Sequence, residues 1–564
     1  MSMPPPPPPL KNGDIDVTPS ALHTLSGYVA YLQDGLHKGA NQLLDELGRY
    51  PDCGGYGTAA WEFANAYKKV GNRFIEVWAK SVASVGGAAV GFTLTANNYA
   101  TADAATDPSG APAQTQPPPA VIDTPPNYGS VTDLKWADID QSQDIFQRAL
   151  EAVDAGVLAI IRPLLEDVYR MGKAAEIMPL PDYLGLDNMS VGWVYASTTV
   201  TTTDGNLSSA LHNYTDRSNG EWTAAMRQFC SAVWGTSAWG KRREGYEWKH
   251  DSAQPGQAGS HPVMDVMVKT CDVVSDALGA WAVAAQDVRE DLRRLYYEAV
   301  IKALPHIDTS DGLGMKDLKS FGKGLLNIGK GFAEGFALEV DEEAMNAAVE
   351  AYNNRVHRQV VELNKQHEAL DEAYNSAPTY RAESARAESF GARALTDFKG
   401  NLLYTVPGDS EANHQYPIDL ANQEGVHGSH VIDKHVGKTD MQLAMRLRDQ
   451  PTIDAASSFV DLPQAQKTTQ AVMEYVGPPS NSGQPNSGVD NTAKITAWLS
   501  RPRRDNSILR LDPVEFQHVT GRTVEASNPS AQHALDTHSA TVVLKYKNGL
   551  VPPYVVYTSM PSLP

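Results

Sequence analysis

Near Pro502 the spacing of apolar residues changes from the three- and four-residue step of helices to the β-branched, aromatic-rich pattern of strands. That change limits the fold more than any other feature. Ile508–Leu511, Phe516–Val524, Thr541–Tyr546 and Tyr554–Thr558 read as strands, and Asn548-Gly549 is a hairpin-turn signal between the last two. Three helices are expected just before them. One is opened by Thr439, carries Leu443 and Leu447, and is ended by Pro451. One starts at Asp461 and Pro463 and puts Val472, Tyr475 and Val476 on one face. One holds Ile495, Trp498 and Leu499. Helices first and an antiparallel sheet after them make an α+β domain over residues 417–564. Everything upstream that has a period has the helical one. The expected fold class is therefore multidomain, with an all-α N-terminal region (a helical hairpin and a helical bundle) and a C-terminal α+β domain.

The upstream region divides by composition. Residues 1–17 are a tail with six successive prolines. Residues 18–106 read as a helical hairpin: one helix near Ala21–Tyr50, a Gly-rich turn, and a second from Thr58 with Phe63, Tyr67, Val70, Phe74, Val77 and Trp78 as core. Residues 107–128 are a Pro-rich linker. A helical bundle is expected over 129–305, with one helix through Ile145, Phe146, Leu150 and Val153 towards Tyr169. A helix–turn region follows around Phe229, Val233, Trp234 and Trp239, and then a long helix from Pro262 to Ala303. Residues 306–338 form a Gly-rich amphipathic segment that suits helix packing or a flexible linker better than transient membrane contact. Its Gly324–Lys330 matches G-x-x-x-x-G-K, but no strand precedes it and Gly331 replaces the magnesium-holding Ser/Thr, so it is not a phosphate loop. Residues 339–375 read as one long helix, with Val349, Val356, Leu363 and Leu370 at seven-residue intervals and His367 in the seam. Residues 376–416 look polar and irregular, a tether.

Charge restricts the function classes. The formal net charge is −20, yet residues 421–564 hold 13 Lys+Arg against 13 Asp+Glu. Long-range steering of nucleic acid by the whole chain is excluded, and any RNA contact rests on a local site. Three cysteines are too few for a disulfide framework; one Cys230–Cys271 bridge or separate buried thiols both fit. No basic segment followed by an apolar stretch opens the sequence, so no Sec-type signal peptide is expected. No run of eighteen apolar residues occurs, so stable membrane insertion is not expected.

The chemistry concentrates in Gly425 to Gln450, GVHGSHVIDKHVGKTDMQLAMRLRDQ. Three histidines, two lysines and two arginines lie within it. Phosphoryl transfer on RNA needs these types together: a neutral imidazole to take the 2′-hydroxyl proton, a second group to protonate the leaving oxygen, and a fixed cation for the phosphate charge. Thr439 and Gln442 form a capping-box pattern, which sets His435 just before a helix that carries Arg446 off its buried stripe. A loop–helix corner of this kind aims both at one phosphate. Two other readings of the histidines stand beside it: local hydrogen-bond partners of a helix start, or an HxxH metal set completed by His435.

The stretch HGSHVIDKHVGKTDMQLAMRLRDQP resembles the opening of the bacterial ribonuclease A-like toxin domain of contact-dependent and polymorphic toxins. The likeness runs from about Ile418 to Pro564. It implies a ribonuclease A-like fold and RNA cleavage through a 2′,3′-cyclic phosphate, with no cofactor and no metal. On that model His435 is the prime acid–base group, Arg446 stabilises the pentavalent phosphate, and Thr558 matches the family's C-terminal Thr. Two residues on, the family often has Tyr; here Met560 stands, and it cannot donate a proton. The second proton-transfer group is then to be sought among His430, Tyr557, His518 and His538. Lys434 and Lys438 are candidate phosphate contacts. The cluster Arg501, Arg503 and Arg504 is a candidate RNA docking site, with Tyr557 as a further contact.

The N-terminal hairpin, through FANAYKKVGNRFIEVWAKSVASVGGAAVGFTLTANNYATADAA, resembles the WXG-type helical module exported by actinobacterial type VII secretion. Tyr99 and Asp103 fit that pathway's Tyr-x-x-x-Asp/Glu export signal, although Trp61 lies past the turn and no W-x-G occurs there. Together the resemblances imply a secreted toxin with an RNA substrate, a cognate immunity protein, the type VII machinery and a small WXG-type helical partner. The alternative is a secreted interaction protein whose ribonuclease-like domain has lost cleavage.

Overall fold

The computed structural model describes residues 19–106, 108–135, 172–177, 180–214, 240–243, 246–248, 263–303, 339–399 and 404–563. Helices α1 (Pro19–Leu47) and α2 (Thr58–Thr106) form the expected hairpin. Helices α3 (Tyr183–Tyr214) and α4 (Val263–Ala303) pack on it and on each other. Trp78, Trp193, Trp281, Tyr67, Phe63 and Phe74 fill the shared core, fully buried. Burying side chains of this size contributes roughly 1.5–3 kcal/mol each. Trp281 donates its indole N–H to the Tyr352 hydroxyl at 2.9 Å, so its polar atom is satisfied within that core. Helix α2 is apolar and long enough to cross a membrane over Thr58–Thr101, but 89% of its most apolar window is buried inside the protein. The Pro-rich residues after α2 run back along the hairpin, where the Gln33 side chain bonds the backbone of Ile122 through both its nitrogen and its oxygen.

Several expectations need adjusting. The long helix expected over 339–375 is two, α5 (Glu342–Asn364) and α6 (Gln366–Ser376), though Val349, Val356, Leu363 and Leu370 all face the core as their spacing requires. Cys53 and Cys271 are free, buried thiols, and Cys230 lies outside the described residues. So do the helix expected near Ile145, the Trp234–Trp239 region and the Gly-rich 306–338 segment. Residues 376–416 are not an irregular tether throughout. Helix α7 (Tyr380–Lys399) occupies half of them and lies along α2. Close approach is possible because α2 presents Ser84, Gly87, Gly91 and Thr95 there. A Cβ on Gly87 would meet the Tyr380 carbonyl oxygen at 2.2 Å, and Thr95 donates its hydroxyl proton to the Ala387 carbonyl at 2.8 Å.

The C-terminal domain is α+β. Its helices are α8 (Leu420–Gln423), α9 (Val431–His435), α10 (Asp440–Asp449), α11 (Leu462–Met473) and α12 (Asn491–Leu499). A short pair, β1 (Gly240–Arg243) and β2 (Tyr246–Trp248), belongs to the upstream region. The domain's own strands are β3 (Ala455–Ser458), β4 (Ile508–Arg510), β5 (Val514–Glu515), β6 (Gly521–Glu525), β7 (Leu535–Thr537), β8 (Ser539–Tyr546) and β9 (Tyr554–Ser562). They make two antiparallel sheets, ordered β3-β6-β7 and β4-β8-β5, with β9 also paired to β8. The strand β3 carries no strand signal in sequence, being Ala-Ala-Ser-Ser; pairing with β6 over Ala455–Ser458 makes it one. The stretch Phe516–Val524 is not one strand: Val514–Glu515 pairs with β8 and Gly521–Glu525 with β3. Asn548-Gly549 lies in a longer connection running from Lys547 to Pro553, not in a two-residue turn. Val542, Leu544, Tyr554 and Val556 of the long ribbon pack against Val431, Ile432 and Val472 of the helices, so the ribbon forms the floor on which α9 sits.

Candidate active site

Helix α9 is five residues long and would not persist alone. The Glu424 carboxylate holds its first turn by accepting from the N–H groups of Ile432 and Asp433, both at 2.9 Å. His430 stands at its N-cap and His435 at its last position, with ring centroids 6.4 Å apart. Each ring is oriented through Nδ1. His430 Nδ1 lies 2.8 Å from the Gly428 carbonyl, and His435 Nδ1 lies 2.8 Å from the Ser457 carbonyl on β3. A carbonyl only accepts, so each Nδ1 carries the proton and each Nε2 is the basic nitrogen. Burial, with the nearby Lys434, pushes His430 down to about 4. Burial, with the nearby Arg446 and His430, takes His435 well below its ordinary value. Both imidazoles are therefore neutral near pH 7.

Helix α10 starts with the expected capping box: the Thr439 hydroxyl accepts from Gln442 N–H, and Gln442 Oε1 accepts from Thr439 N–H. Leu443, Ala444 and Leu447 pack on Ala456 and Val524. That packing turns Arg446 back towards α9, where Nη1 donates to the Lys434 carbonyl at 3.1 Å and Nε to Gln450 Oε1 at 3.3 Å. Arg446 is 7% exposed and His435 3%. The pair sits deeper than an open corner would put it, while His430, Lys434 and Tyr557 around it are half-buried. Burial lowers Arg446 to about 10, so it stays cationic at pH 7.

Strand β9 carries an irregularity that the sequence does not announce. Val543 pairs with Thr558 and Leu544 with Val556, which leaves Tyr557 as the extra residue of a β-bulge. Its carbonyl is thereby freed to accept from His430 N–H at 3.2 Å, and its ring meets His430 edge-on at 4.9 Å. The buried Thr558 hydroxyl has no hydrogen-bond partner among the described residues. Met560, opposite Thr541, is half-buried.

The structure brings some of the expected residues together and sets the others apart. His430, Lys434, His435, Arg446 and Tyr557 come together around α9. Arg501, Arg503 and Arg504 lie on the loop after α12, where Arg503 Nε donates to the Trp498 carbonyl at 2.9 Å and Arg501 and Arg504 are exposed. Lys438 is drawn instead into a charged cluster with α7: burial, then Arg386, push it down to about 7. His538 and His518 lie around β5, where the His538 carbonyl accepts from Phe516 N–H at 2.6 Å. Tyr99 is buried near the end of α2 and Asp103 is exposed one turn on. Among the described residues no three His, Cys, Asp or Glu side chains stand close enough together to hold a metal ion.

Residues upstream of the domain take part in ways the sequence reading missed. Arg386 on α7 donates to Asp433 of α9 at 2.9 Å and to Glu383 at 3.1 Å, all three buried. Thr379 donates its hydroxyl proton to the Gly437 carbonyl at 2.7 Å, and Gln442 Nε2 donates to the Ala377 carbonyl at 2.9 Å. The available signal was the Ala, Glu and Arg content of YRAESARAES, which favours helix.

Residues 429–561 match the family described as the bacterial CdiA-CT RNAse A domain. The C-terminal region carries a CdiA-CT RNase A-like toxin domain. A solved structure similar to the chain is the crystal structure of a CdiA-CT/CdiI complex from Y. kristensenii, at 22% identity, covering 24% of this chain and 99% of that one, with a TM-score of 0.19. A comparison with curated proteins finds no match. The match takes in α9, α10 and all the strands from β3 to β9, so every residue expected to take part in catalysis, from His430 to Thr558, lies inside the toxin domain. Arg386 and Glu383 lie outside it.

Proposed function

We propose that the chain is a secreted antibacterial toxin whose C-terminal domain cleaves RNA by metal-independent transphosphorylation. His435 Nε2 takes the proton from a ribose 2′-hydroxyl. The 2′-oxygen bonds to phosphorus as the bond from phosphorus to the 5′-oxygen breaks, which gives a 2′,3′-cyclic phosphate. His430 Nε2 gives its proton to the departing 5′-oxygen, the role left open by Met560. The Arg446 guanidinium balances the charge of the pentavalent phosphate, and the Thr558 hydroxyl supplies a further donor. The observation that supports this reading is the pair of imidazoles 6.4 Å apart, each held through Nδ1 with Nε2 left as the basic nitrogen, beside a buried guanidinium. For this step His430 must carry a second proton, at Nε2, and the negative charge of a bound phosphodiester beside the ring favours that cation.

A cognate immunity protein is the expected partner; the solved relative is itself in a CdiA-CT/CdiI complex. It would cover His430, Lys434 and Tyr557. Export by the type VII route rests on the hairpin and on Tyr99 and Asp103, four residues apart and so on one face of α2. A small WXG-type helical protein is the proposed export partner.

The test uses the full chain. The unaltered protein should cut RNA to products ending in 2′,3′-cyclic phosphate and should arrest growth when made inside cells. His435→Ala should lose both by about 10²-fold or more. Met560 favours the second reading, a domain that has kept its fold and lost cleavage. That reading stands if the unaltered chain neither cuts RNA nor arrests growth.

A further inference from the structure

The Lys545 ammonium lies 5.0 Å from the centre of the Tyr557 ring, and Nζ donates to the His427 carbonyl at 2.8 Å. The same ring meets His430 at 4.9 Å, and His430 meets His435 at 6.4 Å. Each of four side chains therefore neighbours the next: His435, His430, Tyr557, Lys545. We infer that Lys545, held over Tyr557 by the His427 loop, is a subsite for the RNA phosphate next to the one being cleaved.

The construction of the loop supports this. His427 has a left-handed backbone (φ +48°) between Gly425 (φ +80°) and Gly428 (φ +86°). That conformation is uncommon outside Gly, and it aims the His427 carbonyl at Lys545. An ammonium has three N–H donors, so two remain for a ligand once the carbonyl has taken one. Lys547 stands near enough to Lys545 and His427 to disfavour the charge on both, and its carboxylate partner, Asp505 at 2.9 Å, is already engaged. Lys547 is thereby neutralised, and Lys545 stands as a cation with no carboxylate against it among the described residues. Asp505 belongs to the loop that carries Arg501, Arg503 and Arg504, of which Arg501 and Arg504 are exposed. A single-stranded RNA has a phosphate at every nucleotide. A succession of neighbours that starts at the proton-transfer pair and ends at a fixed ammonium suits two successive phosphates, with Tyr557 as the spacer between them.

The subsite rests on the ribonuclease reading, and the experiment separates the two. The full chain and its Lys545→Gln variant are given a dinucleotide, which has only the scissile phosphate, and a hexanucleotide. Lys545→Gln should raise KM for the hexanucleotide about tenfold with little change in kcat, and change kcat/KM for the dinucleotide less than twofold. The log–log salt dependence of hexanucleotide affinity should become shallower by about 0.7, the loss of one phosphate contact on a single strand. Equal losses on both substrates, or no loss on either, overturn the subsite. Affinity for a 2′-O-methyl hexanucleotide, which has no 2′-hydroxyl to react, is read separately. A tenfold loss there supports the subsite even if the unaltered chain cuts nothing, which would sink the cleavage mechanism alone. Unchanged affinity overturns the subsite whatever the chain cuts.

Discussion

Replacing Arg386 with Met removes the only guanidinium that bonds Asp433 and Glu383 among the described residues, and leaves a side chain of similar length. Breaking a buried ion pair by removing one partner costs about 3–5 kcal/mol, because a charge is left in low dielectric. Two carboxylates lose a partner here, but their costs differ. Burial already pushes Glu383 up to about 7, so near neutral pH it takes a proton at little cost. Asp433 bears most of the penalty, and Lys438, relieved of Arg386, offsets part of it by holding its proton more firmly. About 3 kcal/mol is the expected net loss, at the lower end of that range. The loss falls on the contact between α7 and α9, and native-state hydrogen exchange reads it there. Exchange of the α7 and α9 amides should speed up by roughly 10²-fold, since 1.4 kcal/mol is a factor of ten. The hairpin α1–α2 should be much less affected. Cleavage should fall as well, because the released Asp433 carboxylate is then free to attract Arg446, whose charge it already favours. The triple variant Arg386→Met, Glu383→Gln, Asp433→Asn strands no carboxylate and should regain part of the protection, the rest being withheld by Lys438 and the two buried amides. Unchanged exchange in the single variant, or an equal loss in the triple one, would refute the reasoning.

Three further outcomes follow from the same geometry. Catalysis by the proposed pair needs one imidazole protonated and the other neutral, and both are held below their ordinary value; kcat/KM should therefore rise as pH falls from 7 towards 5, by up to roughly tenfold per unit, and an optimum above pH 7 would contradict the assignment of His430 and His435. Gly437 has φ +68°, and a Cβ there would meet the Ala382 nitrogen at 2.7 Å, so Gly437→Ala should destabilise the α7 contact by more than the roughly 1–2 kcal/mol of a left-handed Ala, read as a lower midpoint in urea; a loss of only that size would show that α7 can move aside, and an unchanged midpoint would refute both costs. Cleavage should persist in excess chelator, and its loss there, restored by a divalent metal, would replace the transphosphorylation scheme with a metal-assisted one.

The sequence by itself determined what depends on neighbours in the chain. Thr439 and Gln442 make their capping box, Leu443 and Leu447 their buried stripe, and the heptad residues of α5 and α6 their seam, because side-chain spacing and cap chemistry act within a turn or two. The change from helix to strand near Pro502 was legible for the same reason, and it sufficed for the α+β class. The His435–Arg446 proximity was legible from the capping box that sets one just before the helix carrying the other, and the roles given to them came from the resemblance of the stretch to a toxin family. Only the tertiary structure decided the rest. The strand β3 exists because β6 pairs with it, and its Ser457 carbonyl then fixes the tautomer of His435. The bulge at Tyr557 comes from the register of β8 against β9, and it joins β9 to His430. The residues 380–389 look like a polar tether because Glu383 and Arg386 are charged; they are buried because Asp433, nearly fifty residues on, completes their ion pairs. Hydrogen bonds and ion pairs between distant segments leave no period in a sequence, since each partner is chosen by the fold and not by its neighbours.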